Sequence, residues 1–313
     1  MTIYVEFEMG AAERRLLETA AAGHELFVAD AAQAEVSAAA LRRAEVVFGA
    51  VACEALSRAR QLRWIQFPSV GVDAYRGFDW SSFAHPVVCT NLRGVFDEPM
   101  AQTVLAAILG HYRGLGRLQR LQTACDWQKL QVRPQTRVLQ GAQVLLLGNG
   151  SMSRRVRELL AAFGCRFTTY ARTSGDIQSV EALEEALAGA DLVVAALPET
   201  PATVGLLDAR RIARLKAGAL FVNVGRGSLV DEAALLRALA ENRIGGAVLD
   251  VTREEPLPPD SPLWTAANVV LTQHTSAGSD REAADVVGLF ADNLARFLSG
   301  RPLRNVVDWS RGY

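Results

Sequence analysis

The chain has 313 residues, of which 50% are hydrophobic, and its 33 basic and 34 acidic residues give a net charge of −1. This length is sufficient for two domains, each with its own core. The balanced charge offers no basic field for nucleic acid, and no apolar run approaches the ~20 residues needed to span a bilayer. Since the start of the chain also lacks a signal-peptide pattern, we expect a cytoplasmic protein with neither nucleic-acid nor membrane partners.

Strand-like runs alternate with helical patterns in the first third of the chain. The runs IYVEFE, EVVFGAV, RWIQF and VVCTN are rich in β-branched and aromatic residues, and the helical patterns AAERRLLETA and CEALSRARQL stand between some of them. Such alternation predicts a parallel sheet with helices on both faces. We assign residues 1–97 to this first domain.

A long helix is predicted from about Asp97, because Pro99 suits a first helical turn and the following AQTVLAAILG is apolar almost all round. We place a domain boundary there. A second alternating series begins at Val144 and contains the strand-like runs VLLLG, RFTTY, DLVVAAL, ALFVNV, GAVLDV and VVLTQH. It fits a six-stranded doubly wound unit over residues 98–279. The helix within residues 280–313 is expected to return to the first domain.

The cysteines and most histidines form no recognisable chemical pattern. The cysteines are far apart, without a C-x-x-C pair, and three histidines have no partner at metal-ligand spacing. We therefore predict no disulfide framework and no metal site, and expect the cysteines to be small buried hydrophobes. The residues concerned are Cys53, Cys89, Cys125, Cys165, His24, His85 and His111.

The stretch VLLLGNGSMSRRV, residues 144–156, joins a strand-like run to an amphipathic helical pattern through Gly148 and Gly150. In a dinucleotide-binding turn the first glycine permits the tight turn, and the second lets the backbone approach a pyrophosphate at the helix N-terminus. Ser153 stands where that pattern has its third glycine. The stretch alone fits an ordinary strand–helix turn equally well, and its place at the head of a strand–helix series favours the nucleotide site.

Three later segments carry residues suited to reducing a 2-keto acid. They are FVNVGRGSLVDE (221–232), GGAVLDVTREEPLP (245–258) and SPLWTAANVVLTQHTSAG (261–278). Together they resemble the D-isomer-specific 2-hydroxyacid dehydrogenases. The length of the chain and the arginine after the second strand-like run of the second series are most similar to the bacterial glyoxylate/hydroxypyruvate reductases of that family. The resemblance implies an α/β fold of two doubly wound parallel-sheet domains, a Rossmann cofactor domain and a flavodoxin-like substrate domain, with a cleft between them.

Arg226, Glu255 and His274 form the predicted catalytic set. Arg226 follows ALFVNV, and its planar guanidinium can bind a carboxylate with two hydrogen bonds. His274 ends the last strand-like run and can donate a proton to the carbonyl oxygen. Glu255 would orient the imidazole and stabilise its protonated form, while the coenzyme supplies the hydride. Singly, each is better explained as a surface or strand-end residue, but their order and contexts together favour catalysis.

The resemblance also implies roles for groups around this set. In SVGVD, residues 69–73, the N–H groups of Val70 and Gly71 would bind the substrate carboxylate. Asp250 would accept a hydrogen bond from the nicotinamide carboxamide, beside the backbone of Val224 and Gly225. The remaining predicted cofactor residues are Gly148, Gly150, Ser151, Met152, Arg172, Thr173 and, within LPETPATVGLLD, Leu197, Pro198 and Thr203. The chain differs from the family pattern at Ser153, at Gln102 in place of glutamate, and at Gln273 in place of proline.

The segment CRFTTYARTSG, residues 165–175, predicts a preference for NADP(H), with NAD(H) as the weaker alternative. An NAD site usually carries an acidic residue at the end of its second strand, where it holds the ribose 2′-hydroxyl. Ala171 stands at that position here, and Arg172, Thr173 and Ser174 follow it. A carboxylate would repel a 2′-phosphate, whereas these side chains would donate charge-assisted hydrogen bonds to it. Arg154 and Arg166 are weaker candidates for the same phosphate.

The sequence therefore predicts an oxidoreductase that transfers a hydride between NADP(H) and a small 2-keto acid or D-2-hydroxy acid. Two alternatives stay open. A dinucleotide-sensing regulatory protein would share the fold without needing all three catalytic residues, and a related enzyme would oxidise another small anion, such as phosphite. By resemblance we also expect a homodimer, with the long helix after Asp97 at its interface.

Overall fold

The computed structural model describes residues 1–266 and 268–311, so residue 267, inside the segment 261–278, and the last two residues lie outside it. The described chain divides into two compact units. The first unit consists of Met1–Phe96 together with the chain from Ser279 onward, and the second unit consists of Asp97–Gly278. Each unit contains one parallel sheet.

The first unit is built around a five-stranded sheet with the order β2-β1-β3-β4-β5. All its strand pairs are parallel, and the order reverses between β1 and β3, as in flavodoxin-like sheets. The strands are β1 (Thr2–Glu6), β2 (Glu25–Val28), β3 (Val46–Gly49), β4 (Trp64–Gln66) and β5 (Val88–Thr90). The helices are α1 (Ala11–Ala20), α2 (Ala34–Arg43) and α3 (Cys53–Leu56), with α11 (Glu282–Leu298) from the end of the chain.

The long α11 helix packs against one face of this first sheet. Phe290 lies in the middle of the helix and stacks on Phe48 of β3 and Trp64 of β4, with ring centroids 4.5 and 5.0 Å apart. All three aromatic side chains are fully buried. Such aromatic pairs contribute about 0.5–1.5 kcal/mol beyond their area burial. The end of the chain is therefore part of the core of the first unit.

The second unit contains a six-stranded parallel sheet with the order β11-β10-β9-β8-β6-β7. A single parallel bridge between Tyr170 and Ile177 extends the sheet beyond β7. This bridge lies where the Rossmann order has its third strand, so the order of that fold is present with the third strand reduced to one bridge. The strands are β6 (Gln143–Leu147), β7 (Arg166–Tyr170), β8 (Leu192–Ala195), β9 (Leu220–Asn223), β10 (Gly246–Leu249) and β11 (Val269–Leu271).

Helices connect these strands and cover both faces of the second sheet. The apolar side chains of the sheet lie in two separate core clusters, one on each face. Side chains of Ser179 and Asp231 accept hydrogen bonds at two helix N-termini. The helices are α4 (Asp97–Tyr112), α5 (Leu115–Thr123), α6 (Lys129–Val132), α7 (Ser151–Ala161), α8 (Val180–Gly189), α9 (Ala209–Ile212) and α10 (Glu232–Ala240).

Most elements lie where the sequence patterns predict them, with three omissions. β2, α2 and α6 were not predicted. β2 begins with an exposed glutamate and has no fully buried residue, α2 consists mainly of alanine and polar residues, and α6 is a short turn of four residues, KLQV. CEALSRARQL forms only the short helix α3. Among the described residues no helix is long and apolar enough to cross a membrane.

Candidate active site

The connection from β6 to α7 has the geometry of a phosphate-binding turn. Gly148 has a φ of +113°, and a Cβ there would lie 3.0 Å from the carbonyl oxygen of Ala196, so only glycine fits without strain. Gly150 is the N-cap of α7, with a φ of −73°, and no atom lies within 4 Å of the position of its missing Cβ. The backbone at Gly150 is therefore open to a ligand at the helix N-terminus.

Ser153 takes the place of the third glycine inside the first turn of α7. Its side chain is 1% exposed, and its hydroxyl has no hydrogen-bond partner among the described residues. A Cβ on Gly148 would lie 3.4 Å from Ser153 Oγ. The helix thus packs closely on the strand with serine in this position, and a buried hydroxyl stays unpaired.

The loop that follows β7 is exposed and tied to the glycine turn. Arg172, Thr173 and Ser174 are all exposed, and Asn149 Nδ2 donates hydrogen bonds to the carbonyl oxygen and the hydroxyl of Ser174. The carboxylate of Asp176 accepts a hydrogen bond from the backbone N–H of Thr169 at 2.8 Å. The acidic group of this loop is therefore directed to the strand's own backbone.

Two predicted cofactor residues use their hydroxyls within the protein. Ser151 Oγ donates to Asp97 Oδ1 at 3.1 Å. Thr203 Oγ1 donates to the carbonyl oxygen of Pro198 at 2.7 Å and accepts from the N–H of Thr200 at 2.8 Å. The side chain of Thr203 therefore shapes the turn that begins at Leu197 and Pro198, directly after β8. Met152 lies half-buried in the first turn of α7.

Arg226 lies three residues beyond β9, and Asn223 holds the loop between them. Asn223 is buried; its Oδ1 accepts from the N–H of Gly225 at 3.1 Å, and its Nδ2 donates to the carbonyl oxygen of Arg226 at 2.9 Å. The Arg226 guanidinium donates to the carbonyl oxygen of Gly225 at 2.8 Å. The buried side-chain amide of Asn223 thus fixes the backbone of the loop that carries Arg226. Val224, in the same loop, is also buried.

The backbone next to Arg226 makes two close approaches. A Cβ on Gly225 would lie 2.6 Å from the carbonyl oxygen of Leu197, and one on Gly227 would lie 2.0 Å from the carbonyl of Thr252. Both distances exclude any side chain. The loops after β8, β9 and β10 therefore touch through their backbones around Arg226.

Glu255 and His274 form the ion pair that the sequence predicts. His274 Nδ1 lies 2.7 Å from Glu255 Oε2, and Glu255 Oε1 accepts from the N–H of Thr252 at 3.0 Å. The carboxylate therefore has one oxygen on the protein backbone and the other on the imidazole. With Nδ1 directed at the carboxylate, Nε2 is the ring nitrogen that stays available to exchange a proton with a ligand.

Asp250 fastens the loop that carries His274. The residue is 4% exposed; its Oδ1 accepts from Thr272 Oγ1 at 2.6 Å and from the N–H of Ser276 at 3.1 Å, and its Oδ2 accepts from Ser276 Oγ at 2.5 Å. Its carbonyl oxygen accepts from the N–H of His274 at 2.6 Å. Asp250 thus has a structural role in the loop, and its contact with a nicotinamide stays a prediction.

The predicted substrate loop belongs to the first unit and follows β4. Ser69 Oγ donates to the carbonyl oxygen of Gly71 at 2.6 Å, and Asn91 Nδ2 donates to that of Val70 at 2.9 Å. Side chains therefore donate hydrogen bonds to both carbonyl oxygens, and these bonds fix the conformation of the loop. The binding role of the N–H groups of Val70 and Gly71 stays a prediction.

His111 lies away from these loops, at the opposite edge of the second sheet. It lies in the last turn of α4, and a Cβ on Gly246, the first residue of β10, would lie 2.6 Å from His111 Cε1. Burial and the nearby Arg137 lower the pKa of His111. The imidazole is half-buried against the start of β10, which gives it a structural position.

The sequence patterns indicated the proposed reacting groups but not the residues that hold their loops. Asn223, Thr272 and Ser276 were not predicted, although each makes hydrogen bonds that fix a catalytic loop. Thr272 and Ser276 flank His274 at two residues on either side, and this spacing is the only sequence signal that could have indicated them.

The loops that carry these residues lie at one edge of the second sheet, because its strands are all parallel. Arg226 follows β9, Glu255 follows β10 and His274 follows β11, while the glycine turn follows β6. In doubly wound sheets ligands bind outside the carboxyl ends of the strands. The edge combines a cation suited to a carboxylate, a carboxylate–imidazole pair suited to proton transfer, and a turn suited to a dinucleotide.

Comparison with known proteins agrees with this geometry. The family described as D-isomer specific 2-hydroxyacid dehydrogenase, NAD binding domain, matches residues 105–276. A glyoxylate reductase from Aeropyrum pernix is 31% identical over 268 residues, which cover 82% of this chain and 79% of that protein. The chain belongs to the D-isomer specific 2-hydroxyacid dehydrogenases. The resemblance carried by the three segments is thereby confirmed, and the protein is a nicotinamide-dependent oxidoreductase.

Solved structures extend the match to both units. A D-isomer specific 2-hydroxyacid dehydrogenase from Xanthobacter autotrophicus, solved with NADPH and MES, is 30% identical and has a TM-score of 0.84, covering 100% of this chain and 99% of that one. An NADPH-dependent glyoxylate/hydroxypyruvate reductase from Sinorhizobium meliloti, solved with NADP and sulfate, is 28% identical with a TM-score of 0.84, covering 99% of both chains. The predicted fold class is confirmed.

Proposed function

We propose that the protein is an NADP(H)-dependent reductase of small 2-keto acids of the glyoxylate and hydroxypyruvate type. The observation that carries the proposal is the 2.7 Å contact between His274 Nδ1 and Glu255 Oε2, on loops that adjoin the Arg226 loop. This arrangement presents an acid and a carboxylate-binding cation together. The reverse reaction would oxidise the corresponding D-2-hydroxy acid.

Each side chain has a distinct task in this reaction. Arg226 binds the substrate carboxylate and so orients the keto group. The coenzyme, when bound, supplies the hydride to the carbonyl carbon. His274 donates the proton on Nε2 to the carbonyl oxygen, and Glu255 stabilises the imidazolium before the transfer.

The loop after β7 supports NADP(H) as the coenzyme. Arg172, Thr173 and Ser174 are exposed beyond the strand, and the carboxylate of Asp176, in the same loop, is hydrogen-bonded to the backbone of Thr169. A charge-assisted hydrogen bond to a 2′-phosphate is worth about 1.5–3 kcal/mol, which corresponds to a roughly ten- to hundredfold preference. The two relatives solved with NADPH and NADP point to the same coenzyme.

A panel of small 2-keto acids, assayed with NADPH and with NADH, tests the proposal. We expect glyoxylate or hydroxypyruvate to be reduced, with a kcat/KM for NADPH at least tenfold above that for NADH. Arg172→Ala should remove most of that difference. The matched change Arg166→Ala should preserve it, because Arg166 is the first residue of β7 and lies at the opposite end of that strand from the loop of Arg172. No turnover of any keto acid, or a preference for NADH, would contradict the proposal.

We also propose that the protein forms a homodimer through a surface of the second unit. Around α5 and α6 a groove of about 880 Å³ is lined by Leu118, Trp127 and Val132, among others, and Trp127 and Leu130 are 89% and 79% exposed. Apolar surface of this kind is rarely left to solvent. Light scattering should give twice the monomer mass for the wild type and the monomer mass for Leu130→Glu; a monomeric wild type would contradict the dimer.

A further inference from the structure

Two consecutive carbonyl groups in the loop after β4 are bound by one neighbouring segment of the first unit. The carbonyl oxygen of Ser69 accepts a hydrogen bond from the backbone N–H of Leu92 at 3.0 Å. The carbonyl oxygen of Val70 accepts one from Asn91 Nδ2 at 2.9 Å. Both donors belong to the segment that directly follows β5, so both carbonyl oxygens are turned toward that segment.

The direction of these carbonyl groups determines where the next two N–H groups point. The carbonyl group of one residue and the N–H group of the next belong to one planar peptide unit, and in the trans form they point in opposite directions. Both peptide units here are trans. Because the carbonyl oxygen of Val70 faces Asn91, the N–H group of Gly71 points away from Asn91. The N–H group of Val70 points away from Leu92 for the same reason.

The N–H groups of Val70 and Gly71 are available to a ligand. Neither has a hydrogen-bond acceptor among the residues that the structure describes, and Val70 is 40% exposed. Successive backbone N–H groups on one side of a turn are a typical binding site for an anion. Their direction therefore fits the carboxylate contact that the sequence predicts for them.

The amide of Asn91 has a fixed orientation beneath this loop. Asn91 is 5% exposed, and its Oδ1 accepts a hydrogen bond from the N–H of Arg93 at 3.1 Å while its Nδ2 donates to Val70. The side chain must therefore offer an acceptor and a donor at once, which aspartate of the same size cannot do when ionised. Asn305 holds the surrounding backbone, because its Nδ2 donates to the carbonyl oxygens of Asn91 at 3.3 Å and Arg93 at 2.7 Å.

We propose that Asn91 is a positioning residue for carboxylate recognition, because its amide holds the Val70 carbonyl oxygen and thereby directs the N–H of Gly71 at the substrate. The inference rests on the proposed function, in which the substrate is a small 2-keto acid. Asn91 acts through the peptide unit, since its amide is buried and both of its polar atoms are bonded within the protein. Loss of this amide should weaken carboxylate binding and leave proton transfer intact.

Asn91→Ala should raise the KM for the keto acid by roughly tenfold and keep kcat within about twofold of the wild type. A charge-assisted hydrogen bond to a carboxylate is worth roughly ten- to hundredfold in affinity. A bond made equally in the ground state and in the transition state changes KM rather than kcat. Asn91→Asp keeps the acceptor for Arg93 but turns a carboxylate oxygen toward the Val70 carbonyl oxygen, so it should raise KM at least as much.

Asn305→Gly is the matched control. Glycine suits the φ of +57° at this position, and the variant removes hydrogen bonds from the same segment while the amide of Asn91 stays in place. It should lower the Tm and keep the KM for the keto acid within about twofold of the wild type. A loss of stability near Asn91 is thereby separated from a change in the direction of the Val70–Gly71 peptide unit.

Oxamate, an unreactive analogue of a 2-keto acid, gives a measurement that does not depend on turnover. In calorimetric titrations with NADPH bound, Asn91→Ala should bind oxamate roughly tenfold more weakly than the wild type, while the Kd for NADPH stays unchanged. Crystal structures should show the Val70 carbonyl oxygen beside Asn91 Nδ2 in the wild type and turned away from residue 91 in Asn91→Asp. The aspartate variant also serves if the alanine variant does not fold.

The inference would be overturned if both Asn91 variants kept the wild-type KM and oxamate affinity, or if the Val70 carbonyl kept its direction in Asn91→Asp. It would also be overturned if Asn305→Gly raised KM as much as Asn91→Ala, since a looser segment would then explain the effect. If the wild type reduced no keto acid with either coenzyme, the proposed function would fail. The crystal structures alone would then decide whether Asn91 orients the Val70–Gly71 peptide unit.

Discussion

The two halves of the carboxyl edge of the second sheet are built in different ways. After β6 the protein presents backbone, with Gly148 at a positive φ and Gly150 without neighbours around its missing side chain. After β10 and β11 it presents side chains, and Asp250 and Glu255 hold the loop of His274 through five hydrogen bonds and contacts. Backbone N–H groups can bind a coenzyme phosphate whatever the side chains are, whereas proton transfer needs particular side chains in fixed positions.

This difference implies that substitutions in the two halves should have separable effects. Changes in the glycine turn should alter coenzyme affinity, and changes in the catalytic half should alter turnover while coenzyme still binds. The predictions below test that separation, in order of decreasing expected effect.

Arg226→Ala should cause the largest loss. The variant removes the cation proposed to bind the substrate carboxylate in both the ground state and the transition state, so kcat/KM should fall by about a thousandfold, or ~4 kcal/mol. The control is Arg210→Ala, because Arg210 is an exposed arginine of the same unit that pairs with Glu184. Steady-state kinetics with the best keto acid measures both. Wild-type kcat/KM in folded Arg226→Ala would refute the assignment.

Gly150→Ala and Gly148→Ala should separate ligand binding from folding. Alanine fits at residue 150, where φ is −73°, so the Tm of Gly150→Ala should equal that of the wild type. Its added methyl group would face the pyrophosphate, so NADPH binding should weaken by roughly tenfold. Alanine at residue 148 meets the carbonyl oxygen of Ala196 at positive φ and should also lower the free energy of unfolding by about 1–3 kcal/mol. Calorimetric titration measures the NADPH affinity of each variant, and thermal unfolding measures its Tm. An equal loss of Tm in Gly150→Ala and Gly148→Ala would contradict this description of the glycine turn.

Glu255→Gln should lower turnover without weakening NADPH binding. The Glu255 carboxylate lies 2.7 Å from His274 Nδ1, and a glutamine side chain does not offer the imidazole the same charged acceptor. Loss of the group that orients the proposed general acid should lower kcat by roughly tenfold. The matched control, Glu254→Gln, changes the neighbouring glutamate and should keep the wild-type kcat. A wild-type kcat in Glu255→Gln would show that Glu255 has another role.

Ser153→Ala should have the smallest effect, and in the opposite direction. The serine hydroxyl is buried and unpaired, and leaving such a group unsatisfied costs about 1–3 kcal/mol. Removing it should raise the free energy of unfolding by ~1 kcal/mol, or Tm by roughly 2–4 °C. NADPH affinity should stay unchanged. A lower Tm would mean that the hydroxyl has a stabilising partner.

The same contrast explains how much the sequence could predict. The glycine turn and the strands were readable because each is encoded by neighbouring residues: an apolar run, then Gly148 and Gly150. Arg226, Glu255 and His274 were recognised through their surrounding motifs. Thr272 and Ser276 were not, because their partner Asp250 lies more than twenty residues earlier, at 22 and 26 positions, and only the pairing of β10 with β11 brings them together.

The conformation at Gln273 was also beyond sequence reasoning. The departure from proline was visible, but a positive φ depends on the bonds that close the turn around it, from Thr275 to Thr272 and from His274 to Asp250. Tertiary hydrogen bonds override local preference at this position. β2 was missed for a different reason: it is an edge strand that begins with an exposed glutamate, and none of its residues is fully buried, so its apolar run is short.

The most direct test of the central claim is the turnover of His274→Ala, measured together with NADPH binding in the same preparation. We expect the wild type to oxidise NADPH with glyoxylate or hydroxypyruvate. We expect His274→Ala to bind NADPH with unchanged affinity and to turn over at least a hundredfold more slowly, within the usual range for loss of a general acid. Turnover by His274→Ala at the wild-type rate, with NADPH bound equally well, would contradict the role of His274 as proton donor.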